Sequence, residues 1–253
     1  MASLVMSAFG ALGFDVQSCC NELAFLALRA DYYHDAYKGW YAAFCNRNTP
    51  PDVHDDDWYD ALALIGLSLQ LDTRPEKATR YLKEALAYTE KTLSHNNKRL
   101  SETLVRFARA LVAQHKYEEA EPLFRRALAS YREIFPEEHE EVMQISNEFA
   151  YSLACQGTSR AVQEAERVAR QTLEARERFL GRLQQATVES VWTLGFVMEK
   201  AGKRGDARRL YEKAYREGCT LLGQQHVDVR DYKADRDRID KEEDDEVVQY
   251  LLL

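Results

Sequence analysis

The stretch from Tyr117 to Leu128, YEEAEPLFRRAL, decides the fold of this chain. Ala120 and Ala127 are small residues seven positions apart, and the large Phe124 lies between them. Offsets of three, four and seven residues place side chains on one face of an α-helix. The stretch therefore predicts an amphipathic helix whose small residues let a second helix approach closely.

The same pattern recurs along the chain at intervals of 42 residues, with one interval of 45 because three residues are inserted near Thr158. The residues equivalent to Ala120 are Ala36, Ala78, Ala165 and Ala207. Each unit has a second small residue further towards its N-terminus, and these are Ala24, Gly66, Ala108, Ala150 and Gly195. In every unit, turn residues lie between the two small residues. Each unit therefore predicts a pair of amphipathic helices, and such pairs bury their apolar faces by stacking.

This alternation of small and large residues resembles the tetratricopeptide repeat, in the lengthened form of the kinesin light chain group. The connector LGQQH at 222–226 is similar to that family's loop between units, and FPEEH at 135–139 is a looser copy. Glu140 and Val227 stand where the family usually has proline. The resemblance implies an all-α, right-handed superhelix of about five helix-turn-helix repeats. Their approximate limits are 15–56, 57–99, 100–142, 143–187 and 188–230, between an apolar segment at 1–14 and a charged capping helix with an acidic and apolar tail at 231–253.

Composition and charge narrow the class of function. The 253 residues have a formal net charge of −8, and the acidic excess lies at the two ends, whereas residues 61–230 are slightly basic. No basic face of the size that phosphates require is evident, so we expect no nucleic-acid binding. Five cysteines do not suit a secreted disulfide framework and predict a reducing, cytoplasmic setting. No apolar run is long enough to span a membrane, and the first basic residue, Arg29, comes too late for a signal peptide.

The sequence contains no motif with the spacing of a catalytic, cofactor or metal site, so we expect neither enzymatic activity nor a cofactor. The acidic run His54–Asp57 precedes a predicted helix and suits helix capping better than cation binding. His139 and His226 occupy equivalent positions in two connectors, which favours a turn-forming role over a ligand role.

The resemblance also implies that the first helix of each unit lines a concave groove that holds a peptide. The residues predicted to face this groove are Asn21, Phe25, Arg106, Arg109, Asn147, Tyr151, Trp192 and Phe196. The asparagines would bind a peptide backbone, the aromatic side chains would supply apolar contacts, and the arginines would bind acidic groups. Two alternatives stay open: the chain itself covers the aromatic residues, or Arg106 and Arg109 pair with Glu102 or Glu148.

We therefore predict a non-catalytic scaffold or adaptor that binds a protein or peptide partner, with an acidic segment as one option. The alternative is a self-assembling structural protein in which the groove and the C-terminal segment VVQYLLL, 247–253, mediate oligomerisation. The sequence does not separate a docked tail from a free one.

Overall fold

The computed structural model describes residues 32, 35–36, 38, 62, 64–67, 69, 74–94 and 97–251, and the side chains of this set as far as Lys241. The chain divides into two compact units, Met1–Tyr131 and Arg132–Leu253. Within the described residues the secondary structure is helix and turn, with no β-strand.

Eight helices have defined limits. They are α1 (Pro75–Thr92), α2 (Lys98–Val112), α3 (Tyr117–Ile134), α4 (Glu140–Gln156), α5 (Ser159–Phe179), α6 (Gln185–Lys200), α7 (Arg204–Leu222) and α8 (Val227–Leu251). The short turns between α2 and α3, α4 and α5, and α6 and α7 fall where the repeat predicts them. None of the helices in the described part of the chain is both long and apolar enough to cross a membrane.

Side chains in the connectors explain where several helices begin. Asn97 accepts a hydrogen bond from the backbone N–H of Arg99, and Thr158 accepts one from that of Ala161. His139 does the same for Glu141, through Nδ1 at 3.3 Å, and Nδ1 of His226 accepts from Asp228 at 3.3 Å. Each bond satisfies a backbone donor that has no partner within its helix. The two histidines therefore have the turn-forming role predicted from their repeated position.

In the first unit the repeat's small residues form the core. Ala78 and Ala120 are fully buried, as is Ala36 before them. A Cβ added to Gly66 would lie 2.5 Å from Cγ of the buried Leu82, so the helix containing Gly66 packs directly on α1. Between α2 and α3, the hydroxyl groups of Ser101 and Ser130 are hydrogen bonded at 2.5 Å.

The second unit is built in the same way from α4 to α8. Ala165 and Ala207 are fully buried, and a Cβ added to Gly195 of α6 would lie 2.9 Å from Cδ1 of Tyr211 on α7. The Tyr211 hydroxyl donates a hydrogen bond to Glu199 at 2.7 Å. The predicted alternation of small and large residues thus sets how closely α6 and α7 pack.

The final helix is longer than the sequence suggested. We expected a charged capping helix followed by an acidic and apolar tail, but α8 continues through the acidic residues to Leu251. Residues 227–251 contain neither glycine nor proline, so nothing in them interrupts a helix once α8 has started.

Candidate functional site

Four aromatic side chains from three helices meet in the second unit. Tyr151 lies on α4, Trp192 and Phe196 lie one turn apart on α6, and Tyr232 lies on α8. The ring centroid of Tyr151 is 6.0 Å from that of Trp192 and 4.9 Å from that of Phe196. The Trp192 centroid is 6.0 Å from Phe196 and 6.3 Å from Tyr232. We call these four residues the aromatic cluster.

The cluster is held in place by polar contacts with α8. The indole N–H of Trp192 donates a hydrogen bond to Asp235 at 2.8 Å. Arg238 donates to Asp235 at 3.3 Å and to both carboxylate oxygens of Glu199, at 3.0 and 2.7 Å. These bonds fix the edge of the Trp192 ring and attach α8 to α6.

A pocket opens beside the cluster, between α6 and α8, with a volume of about 330 Å³. Its lining residues are Gln185, Glu189, Trp192, Asp228, Asp231 and Tyr232. The side-chain amide of Gln185 donates a hydrogen bond to Asp228 at 3.1 Å. The lining therefore combines two aromatic rings with three carboxylates and has no lysine or arginine.

Burial raises the pKa of Glu189, and the nearby Glu148 and Asp228 act in the same direction. Arg176 opposes this effect, because its Nη1 lies 3.7 Å from Oε2 of Glu189. Burial raises the pKa of Tyr232 as well, with further contributions from the carboxylates around it, so its hydroxyl stays protonated. The pocket is therefore an acidic environment.

Buried polar groups lie behind the pocket. Arg176 of α5 is only 1% exposed, and its guanidinium donates hydrogen bonds to the carbonyl of Ala186 at 2.6 Å, to Ser190 at 2.7 Å, and to Gln144. Burial lowers the pKa of Arg176, while the nearby carboxylates of Glu189, Glu148 and Glu140 raise it, and a guanidinium stays charged in proteins. Sequence reasoning missed Arg176, which connects α5 with α4 and α6.

Asn147 has a different role from the one predicted. Its side chain is 2% exposed, its amide donates to Thr193 at 3.0 Å, and its carbonyl oxygen accepts from Ser190 at 3.1 Å. Because both ends of the amide bind α6, we revise the expectation that Asn147 binds a peptide backbone. It joins α4 to α6 underneath the aromatic cluster.

The remaining predicted residues lie elsewhere. Arg106 and Arg109 are on α2 in the first unit, and both are partly buried. Nη2 of Arg106 lies 3.7 Å from a carboxylate oxygen of Glu102, which is one of the pairs left open by the sequence. Asn21 and Phe25 lie outside the described residues. The structure thus brings together Tyr151, Trp192 and Phe196 from the predicted set, and adds Tyr232.

The site is made of aromatic rings and carboxylates. In the part of the chain that the structure describes, no three histidine, cysteine or carboxylate side chains are grouped as metal ligands. Cys155 and Cys219 are partly buried free thiols. What the site can do chemically is bind, through ring faces, through carboxylates and by excluding water from the pocket.

Comparison with known proteins identifies the repeat. The tetratricopeptide repeat family model matches residues 59–133. No curated protein sequence matches the chain. Among solved structures, the nearly identical TPR-like repeats of a kinesin light chain candidate from Podosopora anserina superpose with a TM-score of 0.70 and 18% identity, covering 82% of this chain and 98% of that one.

BtubC (BKLC) from P. vanneervenii superposes with a TM-score of 0.66 and 17% identity, covering 81% of this chain and 80% of that one. Likeness at such low identity concerns the fold. It confirms the predicted all-α tetratricopeptide fold, with repeats like those of the kinesin light chain group.

Proposed function

We propose, on the premise of the tetratricopeptide match at residues 59–133 and of the shared fold, that this chain is a non-catalytic scaffold that holds a segment of a partner protein. The aromatic cluster and its pocket would form the main contact. One observation carries the proposal: four aromatic residues from α4, α6 and α8 meet beside a pocket of about 330 Å³. Tyr151, Trp192 and Phe196 are partly exposed, whereas Tyr232 is buried at 4% exposure. Partly exposed aromatic side chains often form the energetic centre of a recognition surface, and ligand pockets are lined mainly by apolar and aromatic side chains.

Two features support binding over catalysis. His139 and His226 are used as helix caps, so their ring nitrogens are engaged in starting α4 and α8. Trp192 is fixed by Asp235, so little side-chain entropy remains to be lost when a partner packs on the ring.

The proposal is tested by comparing Trp192→Ala with a matched aromatic substitution elsewhere. Phe179 is the control because it is 50% exposed at the end of α5, outside the cluster. Proteins captured by the immobilised chain would be quantified by mass spectrometry after circular dichroism has shown equal helix content. We expect Trp192→Ala to lose at least one partner that Phe179→Ala retains. Equal recovery by both variants would contradict the proposed site.

A further inference from the structure

We propose that the pocket between α6 and α8 receives a basic side chain, lysine or arginine, from the bound segment of the partner. This inference rests on the proposed function and adds the chemistry of the residue that the pocket selects. It differs from the acidic partner that Arg106 and Arg109 suggested, because those residues lie in the other unit.

The size and lining of the pocket suit one extended side chain. Its volume of about 330 Å³ is near the lower end of the range of roughly 300–1,000 Å³ for small-ligand sites. Trp192 and Tyr232 supply aromatic surface for the methylene stem, and Glu189, Asp228 and Asp231 supply acceptors for a charged head. Lysine and arginine combine an apolar stem with a cationic end in this way.

Among the residues that the structure describes, the carboxylates of the pocket outnumber the cations beside it. The Asp228 carboxylate accepts from Gln185 and lies 3.7 Å from Nδ1 of His226, which itself accepts the backbone N–H of Asp228. Asp231 has no hydrogen bond or ion pair with any other residue that the structure describes. Arg176 is the neighbouring cation, and its guanidinium is occupied mainly by Ala186, Ser190 and Gln144.

The aromatic rings point to the same class of ligand. A cation within about 6 Å of a tryptophan or tyrosine ring face is attracted by the electrons of the ring. At the other end of the cluster Lys200 already lies over Phe196, with Nζ 5.0 Å from the centroid. In the described part of the chain no such cation lies over Trp192, whose ring is partly exposed, whereas Tyr232 is 4% exposed and offers a cation little surface. A basic side chain of a partner would fill this position.

The test uses a library of random twelve-residue peptides displayed on phage and selected against the full-length chain. The enriched peptides are then synthesised, and their dissociation constants are measured by fluorescence anisotropy. Five proteins are compared: wild type, Trp192→Ala, Asp231→Asn, the double variant Glu189→Gln and Asp231→Asn, and Glu174→Gln. Glu174 is the matched control, since it is an exposed carboxylate of α5 with no partner among the residues described.

We expect the enriched peptides to share a lysine or arginine. Replacing it by norleucine or citrulline, which keep the shape and remove the charge, should weaken binding by about tenfold or more. The double variant should weaken the basic peptide by a similar factor and leave the neutral peptide unchanged, whereas Glu174→Gln should change neither. If the double variant is poorly folded, the single variant Asp231→Asn still tests the inference, because Asp231 is exposed.

The outcomes separate the two proposals. Peptides that need Trp192 but contain no essential basic residue would overturn the inference and leave the scaffold function intact. Peptides whose binding is the same in Trp192→Ala would overturn the proposed site itself, and failure to enrich any peptide would count against both. A doubling of mass in light scattering, abolished by the double variant, would show that the basic residue comes from a second copy of this chain rather than from a partner, and would overturn the proposal.

Discussion

Substituting Gly195 by alanine tests how closely the helices of the second unit pack. The added Cβ would lie 2.9 Å from Cδ1 and 3.0 Å from Cε1 of Tyr211, and 3.3 Å from Cβ of Leu210. Carbon atoms in contact prefer about 3.5–4.0 Å, so the Tyr211 ring must move by roughly 0.5–1 Å. That ring is rigid and fully buried, and its hydroxyl is held by Glu199 at 2.7 Å.

Two opposing free energies decide the result. Overpacking of this kind costs about 1–3 kcal/mol. Replacing glycine by alanine inside a helix stabilises the protein by about 1 kcal/mol through helix propensity. Since Tyr211 cannot rotate away without breaking its hydrogen bond, we expect the upper part of the first range and a net loss of about 1–2 kcal/mol. For a chain of this length that lowers the melting temperature by about 2–8 °C.

The matched control is Gly205→Ala in the first turn of α7, where an added Cβ meets nothing within 4 Å. Without steric conflict this change should stabilise the protein by about 0.4–1 kcal/mol. Both variants would be unfolded thermally and followed by circular dichroism at 222 nm. If Gly195→Ala melted at or above the temperature of Gly205→Ala, the close packing of α6 on α7 would be refuted.

Three further predictions concern other parts of the chain. Gly157→Ala should destabilise the protein by about 1–2 kcal/mol, because the φ of Gly157 is 71° and an alanine there is strained. Steric conflict plays no part, since no atom lies within 4 Å of an added Cβ. His115 lies at the equivalent position with φ 59°, so His115→Gly should not destabilise the protein, and urea unfolding measures both variants. Glu199→Gln should cost about 1–3 kcal/mol near neutral pH and less in acid, because burial alone would raise the pKa of Glu199 but its hydrogen bonds from Arg238 and Tyr211 lower it below the ordinary value for glutamate. The charge of Glu199 therefore stabilises the fold above that ordinary value, and this contribution is lost as the pH falls through the lowered folded value. The difference in stability between wild type and variant should narrow as the pH is lowered from 7, and unfolding curves measure it. Deleting residues 247–253 should leave the mass in light scattering unchanged; a fall in mass would favour the self-assembling alternative.

The spacing of small and large residues predicted the fold, because the same positions set the contact between the two helices of every repeat. The small residues Ala78, Ala120, Ala165 and Ala207 were expected to be buried, and all four are. Their effect is local: each lets one helix lie close to its partner in the same hairpin. A pattern of this kind is visible in sequence since it depends on spacing and side-chain size alone.

The polar interior could not be predicted in the same way. Arg176 lies eleven residues after the central alanine of its repeat. Three other repeats have Thr89, Tyr131 and Gly218 at this position. All of these positions are buried. Alignment of the repeats therefore indicated that Arg176, a charged residue, occupies a core position. What makes its burial tolerable is the set of acceptors on α4 and α6, and those depend on tertiary packing.

The candidate site was predicted in part for a related reason. Tyr151, Trp192 and Phe196 share one face of the first helices, so their proximity follows from the repeat. Tyr232 and Asp235 belong to α8, whose register against α6 is set by contacts such as Trp192 with Asp235. Asn147 shows the limit of the approach, because the face predicted to be open is covered at that residue by α6.

On our proposal, a partner segment binds against the aromatic cluster with a basic side chain in the pocket. Photo-cross-linking tests it most directly: a selected peptide carries a benzophenone next to its lysine or arginine, and the attachment sites on the full-length chain are mapped by mass spectrometry. We predict attachment within 185–196 and 227–235, reduced in the Trp192→Ala variant. Attachment centred on α2 or on other segments, unaffected by that substitution, would contradict the account.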